Sequence, residues 1–151
     1  MIDTEVSPLW PAADWPTIAN RAAEAALAVH PAPAVRPEPV EGPEIAIRLT
    51  DDAELQRLNL QFRHKDRPTD ILSFPAGPHA PPGGDIAIAL ETTATAAAKR
   101  GISLEQHTQH LIVHGVLHLL GHDHADDGEA SAMEALEREA LSRLGVPDPY
   151  A

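Results

Sequence analysis

The run from Leu111 to Leu120, LIVHGVLHLL, constrains the fold more than any other segment. Laid on a helix it is apolar on every side except at His114 and His118. Such a helix belongs at the centre of a domain, with the other elements packed around it. Ser103 and Gln106 form a capping box at its start, so the helix is expected to run from there to about Leu120. His114 and His118 are four residues apart and share one face. Burying two imidazoles is costly unless each finds a partner, and a metal ion is one. Gly121 can end the helix in a left-handed conformation and send the chain back, which brings His124 toward the first two histidines. Three neutral imidazoles with an open fourth position suit catalytic zinc. One Zn2+ per chain is therefore expected at His114, His118 and His124, although nickel, copper and iron(II) also accept such ligands.

The remaining histidines are expected off the metal. His107 and His110 precede the motif on the same helix, and His122 lies in the turn near the mouth of the site. His30, His64 and His79 fall in or near loops. Asp123 either accepts the free ring N–H of a ligand or serves the turn as a cap.

The rest of the pattern points to an α+β domain, a small mixed β-sheet packed with about five helices around a metal-containing cleft. The 151 residues are expected to form one domain, 1–151. Ile2–Val6 reads as a first strand, followed by an alanine-rich helix with Thr17 as its cap, running to about His30. Residues 31–43, PAPAVRPEPVEGP, carry five prolines and are expected to form an exposed loop insertion. Alternation in EIAIRL (Glu44–Leu49) and DIAIAL (Asp85–Leu90) marks half-buried strands, and DILSFP gives a short strand stopped by Pro75. Helices are expected from Thr50 or Asp51 to about Phe62, from Thr92 to Arg100, and from Asp126 or Asp127 to Gly145. The last has an apolar stripe of Met133, Leu136, Ala140 and Leu144.

A net charge of −12 argues against a general nucleic-acid coat protein, which needs clustered cations. The absence of cysteine removes disulfides and thiolate ligands. No apolar stretch reaches the roughly 20 residues that span a bilayer. The first residues lack a basic start followed by an apolar run, so a cytoplasmic protein is expected.

Within this acidic chain, Arg57, Arg63, Lys65 and Arg67 place four of eleven cations in one short segment. Beside a metal cleft these cations suit phosphate: Arg offers a planar fork and Lys a mobile point charge. Arg63 is the candidate phosphate clamp, and Lys65 a candidate assistant at the scissile or a neighbouring phosphate. With only five aromatic residues (Trp10, Trp15, Phe62, Phe74 and Tyr150), a nucleic acid would be held mainly by its backbone.

Two other readings compete. The spacing H-x3-H-x5-H, with Gly121 between, is similar to that of zinc-dependent metzincin peptidases. Those carry a general-base Glu directly after the first His. Here that position is Gly115, which disfavours a metallopeptidase. A ribosome-assembly factor with a structural metal is the third reading, and the open fourth position argues against it.

Taken together, LNLQFRHKDRPTDILSFP, GGDIAIAL, HGVLHLLGHDH, SAMEALE and LGVPDPY resemble the YbeY family of bacterial endoribonucleases over most of the chain after Glu44. His122 departs from the Tyr common there. The resemblance implies a metal site at His114, His118 and His124, a functional Arg63, and a small sheet packed with helices around a cleft. It also implies action on single-stranded RNA in maturation of the small-subunit rRNA 3′ end and in ribosome quality control. The small ribosomal subunit and associated factors are the implied partners.

Overall fold

A computed structural model describes residues 1–31, 43–65, 69–77, 79, 82–123 and 125–150. The proline-rich insertion falls almost wholly in 32–42, outside the described residues, as do Arg67 and His124. In chain order the elements are β1 (Ile2–Val6), α1 (Trp15–Val29), β2 (Glu44–Thr50), α2 (Asp52–Arg63), β3 (Ile71–Pro75), β4 (Gly83–Ala89), α3 (Leu90–Arg100), α4 (Leu104–Leu119) and α5 (Asp127–Leu144).

The sheet is small and mixed, as expected, with order β1-β2-β4-β3. β1 and β4 both pair parallel to β2, and β3 pairs antiparallel to β4. Alternation decides which face each residue takes. Ile45, Ile47 and Leu49 of β2, with Ile86 and Ile88 of β4, point into the main core. There they meet the alanines of α1 and the apolar residues of α4 and α5. The opposite face is covered by α2 through Leu55, which packs with Leu72, Ala87 and Ala89.

α4 is the central helix that its composition requires. It packs against α1, α3 and α5 and rests on β3 and β4. Leu111, Ile112, Val113, Val116 and Leu117 are all buried. The capping box forms as expected: Gln106 N–H donates to Ser103 Oγ at 3.0 Å, and Ser103 N–H donates to Gln106 Oε1 at 3.2 Å.

Several boundaries differ from the sequence reading, among them the start of α3 at Leu90 rather than Thr92. α1 is capped by Asp14 rather than Thr17, whose N–H instead donates to Asp14 Oδ1 at 3.3 Å. Pro16 sits in the first turn, where its missing N–H costs nothing. β4 begins two residues early, because the backbones of Gly83 and Gly84 pair with Glu44 and Ile45. The start of α3 has no cap of its own. Asp52 of α2 serves it instead, accepting from Thr92 N–H at 3.0 Å, while Asp52 N–H donates to Glu91 Oε1 at 3.2 Å.

Candidate active site

One turn of α4 separates His114 from His118, and their rings come together. The two Nε2 atoms are 3.0 Å apart, with ring planes at 81°. Two nitrogens that close can share one metal ion, because tetrahedral ligands about 2 Å from zinc lie little more than 3 Å from each other. Among the described residues no group of three His, Asp or Glu side chains gathers into a metal site. The pair is the part of the expected set that falls within the described residues. After Leu120, Gly121 takes φ 98°, a left-handed conformation that lets the chain reverse. His122 N–H then donates back to Leu117 O at 3.0 Å. That reversal brings Asp123 to the cleft that holds the imidazole pair.

The cleft measures about 710 Å³. His114, His118 and Asp123 line it together with Arg63, Lys65 and Ser73. Arg63 is the last residue of α2, and His64 follows it in a left-handed conformation (φ 56°). This sharp stop hands the chain from Arg63 to Lys65, whose N–H donates to Asn59 O at 3.2 Å. Among the described residues, the Arg63 side chain is tethered to β3. Its Nη2 donates to Ser73 O at 2.9 Å, and its guanidinium carbon lies 5.8 Å from the Phe74 ring centroid. An exposed arginine is thereby held against β3 in the same cleft as the imidazole pair.

Behind the pair lies a carboxylate that the sequence reading did not single out. Glu137 of α5 is 1% exposed, and its Oε1 lies 2.7 Å from His114 Nδ1. An ionised carboxylate only accepts, so His114 carries its proton on Nδ1 and turns an Nε2 lone pair toward the cleft. The other oxygen, Oε2, accepts from Tyr150 Oη at 2.6 Å. His110 Nε2 stands further off, 3.4 Å from Oε1. Burial alone would raise the Glu137 carboxyl, but bonds from His110, His114 and Tyr150 outweigh it and hold the group down to about 2. Burial and the same bond to Glu137 push the Tyr150 phenol above its usual range.

His110 faces Glu137, and His107, buried, has its protonation lowered by burial and by the nearby His110 and Arg100. His122, expected near the mouth of the site, turns instead to His30 at the end of α1, with Nε2 2.8 Å from His30 Nδ1.

Gly115 has a packing reason to be glycine. A Cβ there would come within 3.0 Å of Ile71 Cδ1 and Ile86 Cδ1 and 3.2 Å of Ser73 Oγ. The missing side chain is what lets α4 lie close on β3 and β4. The position that carries the general base in metzincins therefore faces the sheet here.

Paired imidazoles and a tethered arginine along one cleft of an α+β domain are what a phosphodiester-cleaving hydrolase needs. The family model for Endoribonuclease YbeY matches residues 13–145. Relatives named Endoribonuclease YbeY include one from Sphingopyxis alaskensis, 45% identical over 99% of this chain and 96% of its own length. Another, from Erythrobacter litoralis, is 46% identical over 93% of this chain and 92% of its own length. A third, from Rhodopseudomonas palustris, is 48% identical over 91% of this chain and 86% of its own. The chain belongs to the Endoribonuclease YbeY family. The solution structure of a Thermotoga maritima protein shares the fold, with a TM-score of 0.59 at 20% identity, covering 100% of this chain and 99% of that one.

Proposed function

We propose that this member of an endoribonuclease family hydrolyses phosphodiester bonds of single-stranded RNA in the cleft between the end of α2 and α4, with a metal ion held by His114, His118 and His124. The placement of the His114–His118 nitrogen pair and Arg63 along one cleft carries the reading. Zinc is the ion that three neutral imidazoles suit best. When bound, such an ion supplies Lewis-acid polarisation of a phosphate.

The chain's own groups do the rest. Arg63, held among the described residues through one Nη2, would turn its other N–H donors to a phosphate and offset charge that develops there. Lys65 adds a mobile cation for the same or the adjacent phosphate. Glu137 keeps His114 in the tautomer whose Nε2 faces the cleft. Trp10 and Trp15 are 5% and 3% exposed, so neither tryptophan is available to stack on a base. The family suggests the biological setting: cytoplasmic maturation of the small-subunit rRNA 3′ end, with the small ribosomal subunit and its factors as partners.

The test is cleavage of a single-stranded RNA by folded Arg63→Ala and His114→Ala proteins, with circular dichroism and thermal melts checking the fold. Both should lose most of the wild-type rate. Wild-type rates in both would reject the assignment.

A further inference from the structure

Asp148, Pro149 and Tyr150, beyond the end of α5, are each tied to a helix. Arg100 Nη2 donates to Pro149 O at 2.9 Å. Arg138 Nε pairs with Asp148 Oδ2 at 3.1 Å, and Asp148 Oδ1 accepts from Tyr150 N–H at 2.8 Å. The Arg138 guanidinium also lies 5.4 Å from the Tyr150 ring centroid. These contacts turn the Tyr150 hydroxyl inward onto Glu137 Oε2, at 2.6 Å, while Oε1 of the same carboxylate takes His114 Nδ1 at 2.7 Å. Two short hydrogen bonds thus join the C-terminal tail to an imidazole of the cleft.

We infer that Tyr150, with the tail that carries it, is a positioning residue for the imidazole pair. A carboxylate that is 1% exposed has no bulk water to replace a lost donor. Its plane is set by what bonds its two oxygens. Tyr150 fixes Oε2, which leaves Oε1 aimed at His114 Nδ1. That in turn fixes the tautomer and ring angle of His114, and so the direction of its Nε2 lone pair beside His118. Tyr150 is not among the residues that line the cleft, and its hydrogen-bonded link to His114 runs through Glu137. The inference rests on reading His114 and His118 as metal ligands, and it adds that the last residues of the chain tune that site.

The experiment uses the full chain, stripped of metal, as wild type and as Tyr150→Phe, Glu137→Gln and His118→Ala. Zn2+ affinity is measured by chelator competition, and the His114 tautomer in the metal-free protein by long-range 1H–15N correlation. Loss of an outer hydrogen-bond partner of a ligand weakens metal binding about 10–100-fold. Glu137→Gln, which keeps an acceptor but loses the charge, is expected near tenfold. Tyr150→Phe, one bond further out, is expected to lose about three- to tenfold, with mixed His114 tautomers. A purely structural role for Tyr150 would lower the melting temperature while leaving the tautomer and the Zn2+ affinity of the folded protein at wild-type values. That result would overturn the inference. Wild-type affinity in His118→Ala would instead overturn the metal-ligand reading, and the metal-free tautomer would still decide whether Tyr150 positions His114.

Discussion

Glu137 makes one contribution to the acid stability of this protein whose sign and rough size follow from its surroundings. Its carboxyl stands at about 2 in the folded chain against an ordinary 4.5. Burial opposes this lowering, and the donors on His110, His114 and Tyr150 bring it about. At about 1.4 kcal/mol per pH unit, the gap is worth about 3 kcal/mol. The folded value lies below the unfolded one, so this stability is present above pH 4.5 and drains away as pH falls toward 2. Gln at position 137 cannot ionise and has nothing to lose over that window. Urea unfolding of metal-free wild type and Glu137→Gln, extrapolated to water at several pH values between 5 and 2, isolates the contribution from that of the other carboxylates. The wild type should lead at pH 5, with its lead shrinking by about 2–3 kcal/mol at pH 2. A lead that stays constant across the window would refute the account of Glu137 as an ionised acceptor.

Other perturbations reach other parts of the cleft. Arg63→Ala should slow RNA cleavage about 10²–10³-fold in single-turnover assays, the range seen on removing a transition-state donor. Arg63→Lys should recover little, because an ammonium cannot bond Ser73 O and present a planar fork together; near-wild-type rates for it would show that charge alone suffices. Gly115→Glu should lower thermal stability by at least the 1–3 kcal/mol typical of overpacking and gain no casein turnover. A stable variant with peptidase activity would contradict the packing role given to this glycine. RNA affinity followed by fluorescence anisotropy should fall with salt at a log–log slope of about −1.4 to −2.8, corresponding to roughly two to four phosphate contacts on single strands. A slope near −7 would require about ten contacts, more than this basic surface can make.

Much of the framework was legible because it rests on periodicity and local capping. Alternation in Glu44–Leu49 and the all-round apolar run of Leu111–Leu120 are properties of neighbouring residues, and the strand and the helix that carry them form. The Ser103–Gln106 box and the Gly145 stop are equally local. Asp14 was missed as a cap because Trp15 and Pro16 do not look like a first helical turn, although proline is tolerated there. Glu137 was missed for a different reason. It stands in an acidic helix beside Glu134 and Glu139, and what distinguishes it lies 23 residues away at His114 and 13 away at Tyr150. One signal was present: Glu137 follows Met133 by four residues and precedes Ala140 by three, so it sits on the buried stripe of α5. An acid on such a stripe needs partners. The imidazoles of α4 were the available ones.

Gly115 and Glu137 together explain why a spacing shared with peptidases does not carry peptidase chemistry. In metzincins the carboxylate follows the first histidine on the same helix and serves as general base. Here that place faces Ile71, Ile86 and Ser73, and no side chain fits without displacing them. The carboxylate beside His114 comes instead from α5, and it approaches Nδ1, on the opposite edge of the ring from the His118 nitrogen. Both of its oxygens are engaged, and its low proton affinity makes it a poor acceptor for a proton released in the cleft. It can orient an imidazole but not activate a nucleophile. The polar groups left to face a substrate are the imidazole pair, Arg63, Lys65, Ser73 and Asp123, together with others lining the same cleft. The two cations among them suit a phosphate far better than a peptide carbonyl.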